Sequence, residues 1–203
     1  MKRGLLVRLL VIGGLMVTVG FEVAAKDPMF KRWMVAGDPG DEAILDYWAR
    51  AEREELGAPA LVDLGTMLFY RGFSADAIKV FKMALDVDPK MADAWFRIGL
   101  VNWREGDIRE ARQAYQRCLK IRSGHGWGNF YLGLLEEKDN NPSVAIEHYR
   151  VAFRHAPELA DPAFNPEVLY SKLQLAALVP VVREQLITRA APFAWLEPAE
   201  VEA

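Results

Sequence analysis

The side chains able to do chemistry are few, and their spacing limits what that chemistry could be. The chain holds three histidines, His125, His148 and His155, and a single cysteine, Cys118. His148 and His155 stand seven residues apart, two turns along one helical face. That is too far to chelate one ion without a third ligand between them, so they read as surface histidines. Neither H-E-x-x-H nor C-x2-C occurs. Ser123-Gly124-His125-Gly126 sets a serine near a histidine in sequence, but nucleophile and base must meet in space. The segment reads as a flexible turn. Glu136-Glu137 reads as a solvated pair at a helix end, and no glycine-rich phosphate loop is present. The sequence therefore offers no catalytic residue, no metal ligand set and no cofactor site. One cysteine forms no intramolecular disulfide.

What organises the chain is a period. Gly65, Gly99 and Gly133 are spaced by 34 residues, as are Ala77, Ala111 and Ala145. Phe81, Tyr115 and Tyr149 form an aromatic column, and Ala84, Cys118 and Ala152 a small one. Cys118 thus reads as a small buried residue. Pro89 and Pro157 share a column that Ser123 interrupts. A fixed period of this length means stacked helical units, none able to bury its apolar face alone. A glycine inside a helix costs about 1 kcal/mol relative to alanine. Its recurrence at one column predicts a close approach by a neighbour. Gly72, Gly106 and Asn140 mark the turn inside each unit, because they tolerate the left-handed conformation after a helix end. Ser74, Asp107 and Asn141 read as the N-caps that follow. The spacing predicts helices near 59–71, 74–87, 92–105, 108–121, 126–138 and 142–155.

These columns resemble the tetratricopeptide repeat family, with its pattern W-x2-L-G-x2-Y, A-x3-F and P. The second unit supplies Trp95, Ile98, Gly99, Ala111 and Tyr115. The first supplies Leu61, Leu64, Gly65, Ala77, Phe81 and Pro89, and the third Leu132, Gly133, Ala145, Tyr149 and Pro157. Asn129 departs from the pattern in unit three, and Asn102 and Glu136 replace the later aromatic in units two and three. The resemblance implies an all-α fold, a helical-hairpin solenoid with flanking capping helices and units at 58–91, 92–125 and 126–157. It also implies a non-catalytic protein–protein interaction module whose first helices line a concave face. On that face would stand Val62, Thr66 and Phe69 from unit one. Unit two would add Phe96, Arg97, Leu100, Trp103 and Arg104, and unit three Trp127, Phe130 and Leu134. The strip is apolar and aromatic with a basic margin, which also includes Lys138. It lacks the lysine and asparagine set with which some family members clamp the tails of heat-shock chaperones. It suits a protein or peptide partner; the alternative is a structural subunit whose own flanks fill the groove.

The flanks frame the array. Residues 26–57 read as a linker and a degenerate leading helix from Asp38 or Asp41 to Leu56, because Ala43 and Tyr47 fall on the alanine and aromatic columns. Residues 158–203 read as capping helices and a tail, with Pro180 breaking or kinking the helix and Phe193 and Trp195 in the tail. At the other end, Lys2 and Arg3 precede an apolar run from Leu9 to Phe21, and Val23-Ala24-Ala25 fits a signal peptidase. Residues 1–25 thus read as a signal peptide or a retained membrane anchor. The expected location is exported, periplasmic or held at the inner membrane facing outward. Membrane contact would come only through residues 1–25, if uncleaved. A net charge of −3 gives no electrostatic case for nucleic acid. The sequence leaves the oligomeric state open.

Overall fold

The computed structural model describes residues 6–12, 15–21 and 28–189, with side chains for 28–186. The cleavage motif Val23–Ala25, Lys26, and the tail residues Phe193 and Trp195 lie outside the described residues. The chain divides into two compact units, residues 1–89 and 90–203.

In the first unit, β1 (Leu6–Ile12) pairs antiparallel with β2 (Leu15–Phe21), from Leu6 opposite Phe21 to Ile12 opposite Leu15. The sequence reading had no strand here. Val7, Val11, Ile12, Val17, Thr18 and Val19 are β-branched and suit a pleated ribbon. Among the described residues no helix is long and apolar enough to cross a membrane. A 3-10 turn at Met29–Trp33 then leads to α1 (Pro39–Glu52), α2 (Ala58–Tyr70) and α3 (Ser74–Val87). Fully buried Phe30 meets Trp48 edge-on at 5.2 Å and Phe73 at 6.1 Å. Asp38 caps α1 by accepting from the Asp41 N–H at 2.9 Å. Asp41 itself is buried, accepting from the Val35 N–H at 2.9 Å and from Arg71 at 2.6 Å. Arg71 thereby ties the end of α2 to the start of α1. Ala43 and Tyr47 of α1 are only half-buried, whereas Ala77 and Phe81 on the same columns are fully buried. Among the described residues no first helix precedes α1, and the 3-10 turn lies directly before it.

The second unit holds two hairpins and a closing helix: α4 (Ala92–Glu105) with α5 (Ile108–Ile121), then α6 (Gly126–Lys138) with α7 (Pro142–His155). Two 3-10 turns, Pro157–Ala160 and Pro166–Leu169, lead to α8 (Lys172–Arg189). From α2 to α7 the helices agree with the expected spans to within one residue at each end. α1 stops at Glu52, short of the expected Leu56. Gly72, Gly106 and Asn140 take the left-handed conformation expected of them, with φ of 88°, 87° and 60°.

Two expectations need correction. Ser74 is not the N-cap but the first residue of α3, and Asp107 and Asn141 give no side-chain cap; the Asn141 amide donates instead to Glu136. Pro180 does not break the last helix, which runs through it. The proline lacks the N–H that would bond the carbonyl of Ala176, an exposed residue.

Each complete hairpin closes on one contact. A Cβ placed on Gly65 would lie 2.5 Å from the Phe81 ring; on Gly99, 2.4 Å from Tyr115; on Gly133, 2.7 Å from Tyr149. All three rings are fully buried and have nowhere to retreat. Gly99→Ala is therefore expected to destabilise the fold despite alanine's better helix propensity, because overpacking costs typically about 1–3 kcal/mol. Gly99→Leu should cost more. Denaturant unfolding checks this; an unchanged midpoint would mean that the ring yields.

Candidate interaction surface

The first helices carry the residues singled out above, and the structure sorts them by depth. In the first unit Val62 and Phe69 are buried, and Thr66 is half-buried with its hydroxyl donating to the Val62 carbonyl at 2.7 Å. In the second unit Phe96 is buried against Tyr115 at 6.0 Å, His125 at 4.8 Å and Tyr131 at 6.1 Å. Phe130 is buried against Tyr131 at 5.8 Å and Tyr149 at 5.9 Å. Val62, Phe69, Phe96 and Phe130 are thus core residues of their own units, and an open row of rings is not what the chain presents. A helical face fixes direction, while depth depends on what packs beside it.

Leu100, Trp103 and Arg97 are half-buried, and Arg104 is exposed. Trp103 lies edge-on to Tyr131 at 5.4 Å, and the Arg97 guanidinium sits 5.8 Å from the Phe96 ring. Tyr131, which the sequence reading missed, stacks on Tyr115 at 5.3 Å and holds this cluster together. It escaped notice because its column carries Asp63 and Arg97 in the other repeats. Toward the third repeat the chain covers itself. Trp127 donates its indole N–H to Glu158 at 2.7 Å. Glu137 accepts from the Tyr149 hydroxyl at 2.5 Å and the Ser171 hydroxyl at 3.0 Å. Leu134 joins a core shared with Leu173, Ala177 and Val181 of α8.

Tyr115 stands where Tyr149 stands one repeat later, yet its buried hydroxyl has no hydrogen-bond partner among the described residues. The position of Glu137 is held in the second repeat by Trp103. Burial pushes both tyrosine pKa values up. Burial also pushes the Cys118 thiol up to about 12, so it stays protonated near neutral pH and acts as the small core residue its column implied. Among the described residues no group of histidine, cysteine, aspartate or glutamate could hold a metal ion.

Two of the three histidines are structural and are not surface groups. His125 is buried and caps α6: Nδ1 accepts from the Gly128 N–H at 3.0 Å. Its proton is therefore on Nε2, which faces Asp93 at 3.1 Å, and Arg122 donates to the same carboxylate at 2.7 Å. The supposed flexible turn is thus a fixed cap. Half-buried His148 donates from Nδ1 to Asn129 at 2.9 Å, and the Asn129 amide donates to the Ser123 carbonyl at 2.8 Å. His155 is exposed. Burial lowers the pKa of His125, helped by Arg122 and opposed by Asp93, and burial lowers that of His148. A histidine whose folded pKa lies below its unfolded value of about 6.5 contributes stability above that pH, lost as pH falls toward the folded pKa. Protonation would also remove the Nδ1 lone pair that caps α6. The melting temperature is expected to fall below about pH 6.5. His125→Asn, which keeps a capping acceptor but does not titrate, should flatten that slope. Melts from neutral to mildly acidic pH check it, and equal slopes in parent and variant would contradict this role.

Comparisons with known proteins agree with this architecture. Residues 62–125 match a tetratricopeptide repeat model. The chain is 27% identical over 89 residues to the tetratricopeptide repeat-containing protein trd-1 of Caenorhabditis elegans, covering 42% of this chain and 12% of that one. It is 28% identical over 82 residues to the general transcriptional corepressor ssn6 of Schizosaccharomyces pombe, covering 40% and 7%. The chain thus spans only a small part of these relatives' length. A crystal structure of MamA superposes with a TM-score of 0.52 at 20% identity, covering 76% of this chain and 99% of that one, a likeness of fold. Residues 62–125 thus carry tetratricopeptide repeats, a kind of module that serves as a scaffold for protein–protein contacts.

Proposed function

We propose that this chain is an exported, non-catalytic scaffold of the cell envelope that holds a segment of a protein partner along the first-helix strip of its second repeat. The observation that carries the reading is the pair of half-buried residues Leu100 and Trp103 on α4, with Trp103 set against Tyr131 and with Arg97 and Arg104 on the same helix. An apolar surface rimmed by charge suits a partner with an apolar anchor, held by burial and steered by screened attraction. Export rests on the basic start, the apolar run and Val23-Ala24-Ala25.

The structural-subunit alternative has one observation in its favour. The strip closes at its third-repeat end, where Ser171 and Glu158 bind Glu137 and Trp127. Binding through the open part would then be confined to the second repeat.

Burial changes which variants discriminate. Phe96→Ala and Phe130→Ala should each cost about 3–5 kcal/mol, as for aromatic core residues. Trp103→Ala with Leu100→Ser should leave the protein helical, melt much nearer the parent and lose the co-purifying partner. Arg97→Gln with Arg104→Gln should weaken binding at low salt more than at high salt. A partner retained by the Trp103 and Leu100 variant would move the structural-subunit reading to first place. Export has its own test: N-terminal sequencing of the native protein should find a start at or near Lys26, or an intact chain in the membrane fraction. An intact Met1 chain in the soluble cytoplasm would refute it.

A further inference from the structure

α8 is apolar on two opposite sides. One side, with Leu173, Ala177 and Val181, joins the core beside α7. The Glu184 carboxylate on that helix accepts from Arg154 of α7 at 2.7 Å. The other side carries Leu175, Val179, Val182 and Leu186, which are 38%, 64%, 40% and 64% exposed. Their spacing of four, three and four residues is that of a helix-pairing seam, and a helix apolar all round is normally covered all round. Leu178 and Arg183 border the same cleft. Every helix from α2 to α7 has a hairpin mate; among the described residues α8 packs on α7 and the Pro166–Leu169 turn, with no mate of its own.

We propose that this outer seam pairs with the α8 of a second copy, antiparallel about a two-fold axis near Pro180 and Val181. The seam continues the helix stacking that already runs from α6 through α7 to α8, so a helix is the shape that fits it. Self-pairing sets Val179 of each copy against Val182 of the other, and Leu175 against Leu186. In this register Arg183 faces the apolar Leu178 of its mate and not the mate's own Arg183, and the one like-charge pairing, Lys172 with Arg189, falls at the outer ends, where it weakens the contact and is screened by salt. An acidic or basic partner helix would find little to pair with. A two-fold contact of this kind closes on itself and gives a dimer, not a fibre. Four side chains on one helix cover less than the roughly 800 Å² a side of a standard interface, so the dimer is reversible and concentration-dependent.

Two measurements on the full chain test this. Sedimentation velocity from low to high micromolar concentration should show monomer passing to dimer. V179E/V182E should stay monomeric with unchanged helicity, since both sites are exposed. A dimer that survives this substitution, or a parent that is monomeric throughout, overturns the proposal. A parent that dimerises only after deletion of residues 190–203 also overturns it, because the chain's own tail would then be the occupant. Orientation is read by oxidising an equal mixture of V179C and V182C. Antiparallel pairing predicts that the mixed disulfide forms several-fold faster than either homodisulfide, and buried Cys118 does not compete. Preferential homodisulfides would mean parallel or adventitious contact. This second arm stands even if the double glutamate variant fails to fold.

Discussion

The contact on which the array depends is an aromatic ring lying on a bare Cα. In each complete hairpin the second helix lays Phe81, Tyr115 or Tyr149 across a glycine of the first. The glycine gives up helix propensity so that two helices can approach more closely than any side chain would allow. The ring then fills the space with a large apolar surface at low conformational cost. Leading helix α1 shows what happens without that contact. It has the alanine and the tyrosine but, among the described residues, no first helix to receive them, and both remain half-buried.

The same column explains why the repeats differ in function-bearing detail. The third repeat gives the Tyr149 hydroxyl an acceptor in Glu137, and Glu137 in turn receives Ser171 from the segment before α8. That polar chain stitches the capping region onto the last hairpin. The second repeat has Trp103 at the position of Glu137, and the buried Tyr115 hydroxyl has no hydrogen-bond partner among the described residues. A buried unpaired hydroxyl costs about 1–3 kcal/mol. The first repeat avoids the question with Phe81. One column thus holds a ring without a hydroxyl, a ring with an unpaired one and a ring with a paired one, in that order along the chain.

Helix positions and inner turns were legible because they follow directly from the 34-residue columns. Caps were less so. Asp107 and Asn141 have the residue types of caps but bond elsewhere or not at all through their side chains, while His125, a less common cap, does the work for α6. Depth along the strip was the least legible quantity. Phe96 and Trp103 stand two turns apart on one face, yet one is buried and the other half-exposed. The difference comes from side chains off the repeating columns: Tyr131 against Trp103, and His125 against Phe96. Periodicity reports what all repeats share, and these neighbours are what they do not share.

That distinction bears on where a repeat protein keeps its specificity. The glycine, alanine and aromatic columns are spent on ring-on-glycine packing and are buried, so no partner can read them. On the proposed reading, what a partner meets is the set of residues that stand off those columns. In the second unit these are Arg97, Leu100, Trp103 and Arg104 on α4, and Leu175, Val179, Val182 and Leu186 on α8. The first set is held in place by Tyr131, itself locked by stacking on the column residue Tyr115. The second is presented by a helix whose inner side is fixed to α7 by Arg154 and the shared core. The invariant contacts supply rigidity, and the variable residues standing directly on them supply whatever the scaffold recognises.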